Sequence, residues 1–153
     1  MRLKQLREII NEEIKNFDPD KMISVTNHLY GVSVAAQMLA KKRGLNPELA
    51  AMAGMLHDMY AYKSGSYKDH AHLGADLARE ILNKSALTSE EETEIICSAI
   101  YHHDDKHVID SKMDECLKDA DVIHHCFNDL SKEVKEKEKV RYAALCKELG
   151  LEE

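Results

Sequence analysis

Apolar positions in this chain recur at helical spacing, and the aromatic alternation that builds half-buried strands is hard to find anywhere in it. Along TNHLYGVSVAAQMLA, His28 shares a face with Val25, Val32, Ala35 and Leu39, the face that a long helix buries. The run ELAAMAGMLHD reads as another helix packed into a core, with His57 continuing the row of Ala50 and Ala53. Start signals sharpen the outline. Asp18 before Pro19 and Asn46 before Pro47 each place an N-cap ahead of a proline at the first helical position. Thr88 or Ser89, followed three residues later by Glu91 or Glu92, supplies a capping box, and Gly44 and Gly150 read as C-terminal stops. The prediction is an all-α bundle of six to seven helices, near 2–16, 19–43, 47–60, 69–84, 89–103, 112–128 and 130–149. The stretches YAYKSGSYKD and HDDKHVIDSK are expected loops, and each directly follows a His-containing helix end. The segment LSKEVKEKEKVRYAALCKELG reads as a charge-rich amphipathic helix with a solvated face.

Length changes this picture little: 153 residues make one domain, 1–153, with a core over 19–128 on which the first and last helices pack. Charge narrows the function. A formal net charge of −7 argues against a general binder of nucleic acid or anionic membrane, which needs a basic surface. It leaves room for a small phosphorylated substrate wherever positive charge is concentrated locally. No apolar run approaches a membrane span, and the N-terminal MRLKQLREIINEE is too charged for a secretory signal, so a cytoplasmic protein is expected. Cys97, Cys116, Cys126 and Cys146 stand far apart without a CxxC pair and read as reduced, buried thiols.

The candidate chemistry lies in nine histidines and a few carboxylates. Asp121, in CLKDADVIHH, sits one turn after Leu117 and one turn before His125. A buried aspartate is expensive without a cation or donors, so Asp58 and Asp121 need partners if they face inward. His28, His57, Asp58 and Asp121 converging from three helices would make a mixed nitrogen–oxygen site suited to a first-row transition metal. Taken singly, any of these histidines is as well read as a hydrogen-bonded core residue. Their combination points to the metal.

A His in a long helix, a His-Asp doublet closing the next one in AGMLHD, and an Asp in LKDADVI resemble the HD superfamily of metal-dependent phosphohydrolases. The resemblance runs from about 25 to 128 and implies the all-α HD-domain fold. It maps the first His to His28, the doublet to His57 and Asp58, and the last Asp to Asp121. Members with two metals carry two more histidines. In DHAHLGADLAREIL the match is His70, four residues before Gly74, with His72 as alternative; in SAIYHH it is His103, with His102 as alternative. The Gly-Tyr-Pro of the HD-GYP branch is absent, which disfavours cyclic-di-GMP hydrolysis. A closer resemblance is to small bacterial HD hydrolases that cleave dinucleoside polyphosphates symmetrically, usually with two iron ions. Their doublet is usually followed by HDIAK, whereas HDMYAYK places Lys63 two residues further on.

The resemblance implies a phosphohydrolase acting on a nucleotide or other small phosphorylated metabolite. It would use one or two divalent ions, iron or manganese first, with zinc, cobalt and nickel accepted by the same donors. His28, His57 and Asp121 would hold one ion and His70 and His103 the second, with Asp58 bridging them as the central catalytic carboxylate. Lys63 and Lys106, in the loops beyond the two His-bearing helix ends, are candidate substrate-phosphate contacts. His107, His124 and His125 read as structural or surface residues, and Tyr60 and Tyr62 either wall a base or cover the core. Two alternatives stay open: a one-metal nucleoside monophosphate phosphatase, and a metal- or nucleotide-binding signalling module without turnover.

Overall fold

Helix α1, Arg2–Ile14, lays Leu6, Ile10 and Ile14 against the core. Arg2 ties its start to the neighbouring helices through Glu48 at 2.6 Å and Glu92 at 2.7 Å. The computed structural model describes residues 1–152 and contains eight α-helices and no strand among them. The central element is α2, Pro19–Arg43, which packs along α3, Pro47–Leu56, on one side and α7, Lys112–Phe127, on the other. Helices α5, His70–Ser85, and α6, Glu90–His102, pair with each other, and α6 also contacts α3 and α7. Leu29, Val32, Met52, Leu56, Ile96, Ile100, Leu117 and Val122 meet in one hydrophobic cluster between these elements.

The start signals act as the residues dictate. Asp18 accepts the Lys21 N–H, and the Asn46 side chain accepts those of Glu48 and Leu49. Ser89 with Glu92 and Ser111 with Asp114 close reciprocal capping boxes on α6 and α7. At Gly44, φ is +71°, the left-handed conformation that ends α2 and that a residue without a Cβ adopts freely.

Two expectations need correction. The helix predicted over 47–60 ends at Leu56, and the loop predicted from Tyr60 begins inside a second short helix, α4, Met59–Ser64, closed by Gly65 at φ +73°, a stop signal of the same kind as Gly44. The helix predicted over 130–149 starts late: α8 is Lys139–Leu149, preceded by a loop and a 3-10 turn at Glu136–Glu138. The reason is Glu138, which is buried and accepts a hydrogen bond at 2.7 Å from His125 Nδ1. That pairing fixes Glu138 at the turn from which α8 starts. Arg141 then fastens α8 to α7 through Glu115 at 2.7 Å and Asp119 at 3.0 Å, and Arg43 joins Asp119 and Glu148 from the end of α2.

All four cysteines are free thiols; Cys97, Cys116 and Cys126 are buried and packed as small hydrophobes. Burial pushes the Cys116 thiol up to about 11, so it stays protonated and inert. No helix among the described residues is long and apolar enough to cross a membrane.

Candidate metal centre

The break between α3 and α4 builds the centre. His57 closes α3 with helical backbone angles, while Asp58 adopts φ −108° and ψ 6°, in the sparsely allowed region between helix and strand. The chain therefore re-aims at Asp58, and two adjacent side chains reach one point instead of diverging around a helix. His28 arrives from the middle of α2, Asp121 from α7, His70 from the first position of α5, and His103 from the end of α6. All six side chains are buried.

The two oxygens of Asp58 face different imidazole pairs. Oδ2 lies 3.3 Å from His28 Nε2 and 3.4 Å from His57 Nε2. Oδ1 lies 3.4 Å from His70 Nε2 and 3.3 Å from His103 Nε2. Asp121 Oδ1 completes the first group, 3.4 Å from His28 Nε2 and 3.6 Å from His57 Nε2. The two Nε2 atoms of His28 and His57 are themselves only 3.1 Å apart.

Hydrogen bonds on the outer side of each ring decide what the inner side offers. Nδ1 of His57 meets the Gly54 carbonyl at 2.8 Å, that of His70 the Tyr67 carbonyl at 2.9 Å, and that of His103 the Ile100 carbonyl at 2.6 Å. A carbonyl only accepts, so Nδ1 carries the proton and Nε2 turns a bare lone pair inward. Three imidazole nitrogens and two carboxylates thus aim electron pairs at one region, with His28 Nε2 beside them, and the buried Oδ1 atoms of Asp58 and Asp121 accept no hydrogen bond among the described residues. A buried oxygen left without a donor costs about 1–3 kcal/mol, more when charged. A bound cation would satisfy these groups, and the donor set is that of a divalent transition-metal site.

The electrostatics describe the same crowding. Burial opposes ionisation of Asp58, but His57, His103 and His28 outweigh it and hold its carboxyl well below the usual range. Burial likewise works against Asp121, and Lys106 with His57 overrides it. Burial depresses His28 and His103, whereas at His57 the two carboxylates overcome burial and push the imidazole up to about 9.

The alternative ligands stand apart. His72 is half-exposed, paired with Asp69 at 2.8 Å and stacked on Tyr101. His102 points to Asp114 at 3.2 Å and the Ser98 carbonyl at 2.9 Å, away from Asp58. The lysines expected at the pocket mouth are elsewhere too. Lys63 forms an ion pair with Glu13 of α1, to which the α4 helix directs it. Lys106 is buried, donating to Asp121 Oδ2 and the His103 carbonyl at 2.7 Å each, so it fixes a carboxylate instead of meeting substrate.

An open cavity of about 410 Å³ leads to the centre. Tyr62 and Tyr67 line one part of it; the segment before α8 brings Lys132, Lys135 and Lys137 to another. Tyr60 is not among its walls. His107 is exposed, but His124 and His125 also line the cavity, and their reading as merely structural or surface residues needs correction. His125 Nε2 is 3.4 Å from Asp121 Oδ1, and His124 Nδ1 is 2.9 Å from His28 Nδ1. Positions three and four beyond Asp121 share its helix face, so the spacing itself carried the signal. The lysine rim carried none, because its segment reads as helix.

The HD domain family model matches residues 25–126. The chain belongs to that family. Ribonuclease Y of Opitutus terrae is 33% identical over 75 residues, which cover 44% of this chain and 14% of that longer protein. The crystal structure of a predicted HD superfamily hydrolase from an uncultured Thermotogales bacterium superposes with a TM-score of 0.63. It covers 96% of this chain and 88% of its own at 22% identity, a likeness of HD fold.

Proposed function

We propose that this HD-domain protein is a metal-dependent phosphohydrolase that cleaves a phosphoester or phosphoanhydride of a small phosphorylated metabolite, a nucleotide foremost, at a two-metal centre. The observation that carries the proposal is the division of Asp58: one oxygen toward His28 and His57, the other toward His70 and His103. A carboxylate can share itself between two ions, whereas an imidazole lone pair cannot. His28, His57 and Asp121 would hold one ion and His70 and His103 the second. When bound, such a pair supplies a nucleophile at neutral pH and offsets charge on the phosphoryl oxygens.

The chain's other groups suit that task. Lys106 keeps Asp121 oriented by occupying its outer oxygen. The carbonyls of Gly54, Tyr67 and Ile100 keep three imidazoles in the ligating tautomer. A cavity of about 410 Å³ has the size of a small-molecule pocket. Lys132, Lys135 and Lys137 line it, Lys132 pairing with Asp129 at 3.8 Å and Lys137 with Asp104 at 2.8 Å, and Tyr62 and Tyr67 offer faces for a base or sugar. The name of the ribonuclease Y relative points to RNA as another phosphodiester substrate; the acidic surface here favours a small molecule.

Metal analysis of anaerobically purified protein, followed by a panel of nucleotides and sugar phosphates with iron or manganese supplied, tests the reading. About two ions per chain and released phosphate or nucleotide are expected. His70→Ala should cut turnover by on the order of 100-fold and His72→Ala should leave it unchanged. Full turnover by His70→Ala would remove the second metal, and bound metal without turnover on any substrate would leave a binding module.

A further inference from the structure

Three of the four central histidines orient themselves on a backbone carbonyl three residues back: Gly54 for His57, Tyr67 for His70 and Ile100 for His103. All three stand at helix ends: His57 and His103 just past the last residues of α3 and α6, and His70 at the first position of α5, on a carbonyl of the turn before it. His28 has no such option. It lies deep inside the 25-residue α2, whose carbonyls are engaged by the helix's own N–H groups. Its Nδ1 meets instead the Nδ1 of His124, at 2.9 Å, with the rings edge to face.

Two ring nitrogens at that distance must share one proton between them. Were the proton on His124, the His28 Nδ1 would be the acceptor and its Nε2 would carry hydrogen into the metal centre. With the proton on His28 Nδ1, its Nε2 lone pair faces Asp58, Asp121 and His57, as the other three rings do. The position of His124 is itself prepared. A Cβ added to Gly31 would stand 2.1 Å from His124 Cδ2 and 2.6 Å from its Nε2, so the bare backbone of α2 one turn beyond His28 forms the notch that holds the ring.

We infer that His124, seated against Gly31, is a positioning residue that accepts the His28 Nδ1–H and so fixes His28 as a metal-ligating tautomer. The inference rests on the two-metal reading for its purpose, but its geometry concerns only the histidine pair. It makes Gly31 a functional position, because a single methyl group there evicts the ring without altering either histidine.

The test uses the full-length protein and Co²⁺ as probe, with long-range ¹⁵N–¹H spectra of the imidazoles recorded before metal is added. Wild type should show His28 protonated at Nδ1. His124→Leu should lose that fixed tautomer and bind Co²⁺ about 10–100-fold more weakly. His124→Asn should recover affinity to within a few-fold, because its side-chain oxygen can stand where Nδ1 stood. Gly31→Ala should resemble His124→Leu. Circular dichroism of each variant separates these effects from loss of fold. Wild-type affinity in His124→Leu, or no recovery in His124→Asn, would overturn the inference. Should wild type take up no Co²⁺ at all, the metal-centre reading fails, and the spectra alone decide the histidine pair: Nδ1 of His28 unprotonated overturns it, and protonation lost in His124→Leu sustains it.

Discussion

Gly54→Ala probes the contact that brings His28 and His57 together. A Cβ at position 54 would lie 2.7 Å from Ser33 Cα, 2.8 Å from Ser33 N and 3.0 Å from Val32 C. All three atoms are backbone of α2, so no side chain can rotate away. Carbon atoms in good contact stand about 3.5–4.0 Å apart, which requires α2 and α3 to part by roughly an ångström. Overpacking of this kind costs about 1–3 kcal/mol, and a rigid helix backbone belongs at the upper end. Alanine returns about 1 kcal/mol through its helix propensity, leaving a net loss of about 2 kcal/mol. At about 2–4 °C per kcal/mol for a chain of this size, Tm should fall by about 4–8 °C. Parting the helices also strains the Ser33 hydroxyl bond to the Ala51 carbonyl at 2.9 Å and separates the His28 and His57 nitrogens, now 3.1 Å apart. Thermal melts in chelator measure the first effect, and Co²⁺ titration the second. Gly31→Ala is the contrast: its methyl meets a movable ring, so metal affinity should fall with a smaller change in Tm. A Gly54→Ala protein melting at or above wild type with unchanged affinity would refute the close packing and the convergence derived from it.

Saturating metal should raise Tm in proportion to RT ln(1 + [L]/Kd), about 2.7 kcal/mol at a hundredfold excess over Kd, and chelation should reverse it; melts with and without Mn²⁺ check this. Lys106→Met removes the buried donor to Asp121 Oδ2 and should cost about 3–5 kcal/mol in metal-free protein by urea denaturation, with metal restoring part of the loss. Glu115 supplies the pH test: burial disfavours its charge, but Arg141, the Asp110 N–H and Lys118 bring its carboxyl from 4.5 to about 2. A folded-state value below the unfolded one stabilises fully above the unfolded pKa and fades as pH falls toward about 2, so Glu115→Gln should flatten the stability profile between pH 4.5 and 2, and an unaltered acid limb would contradict the Arg141 pairing.

The fold was legible because its signals are local. Proline after an N-cap, a capping box and Gly44 each state a helix boundary within four residues, and the structure starts or ends its helices there. The site was legible only as far as its residues sit on predictable faces. His28 shares the apolar row of α2, and Asp121 follows Leu117 by one turn, so periodicity turns both inward. Nothing local said that Asp58 would leave the helical path, or that Lys106 would spend its charge on Asp121, since both depend on elements distant in sequence. The same holds for Glu138, whose pairing with His125 breaks a segment that reads as continuous helix. A common cause lies behind what could and could not be read. Three imidazoles are anchored on carbonyls three residues back, at helix ends, and helix ends are what sequence announces. His28 sits in a helix interior, so its orientation has to come from across the bundle, through His124 on α7 and a notch at Gly31. A ligand placed mid-helix thus obliges the fold to supply a second helix with a polar side chain in register and a residue small enough to admit it.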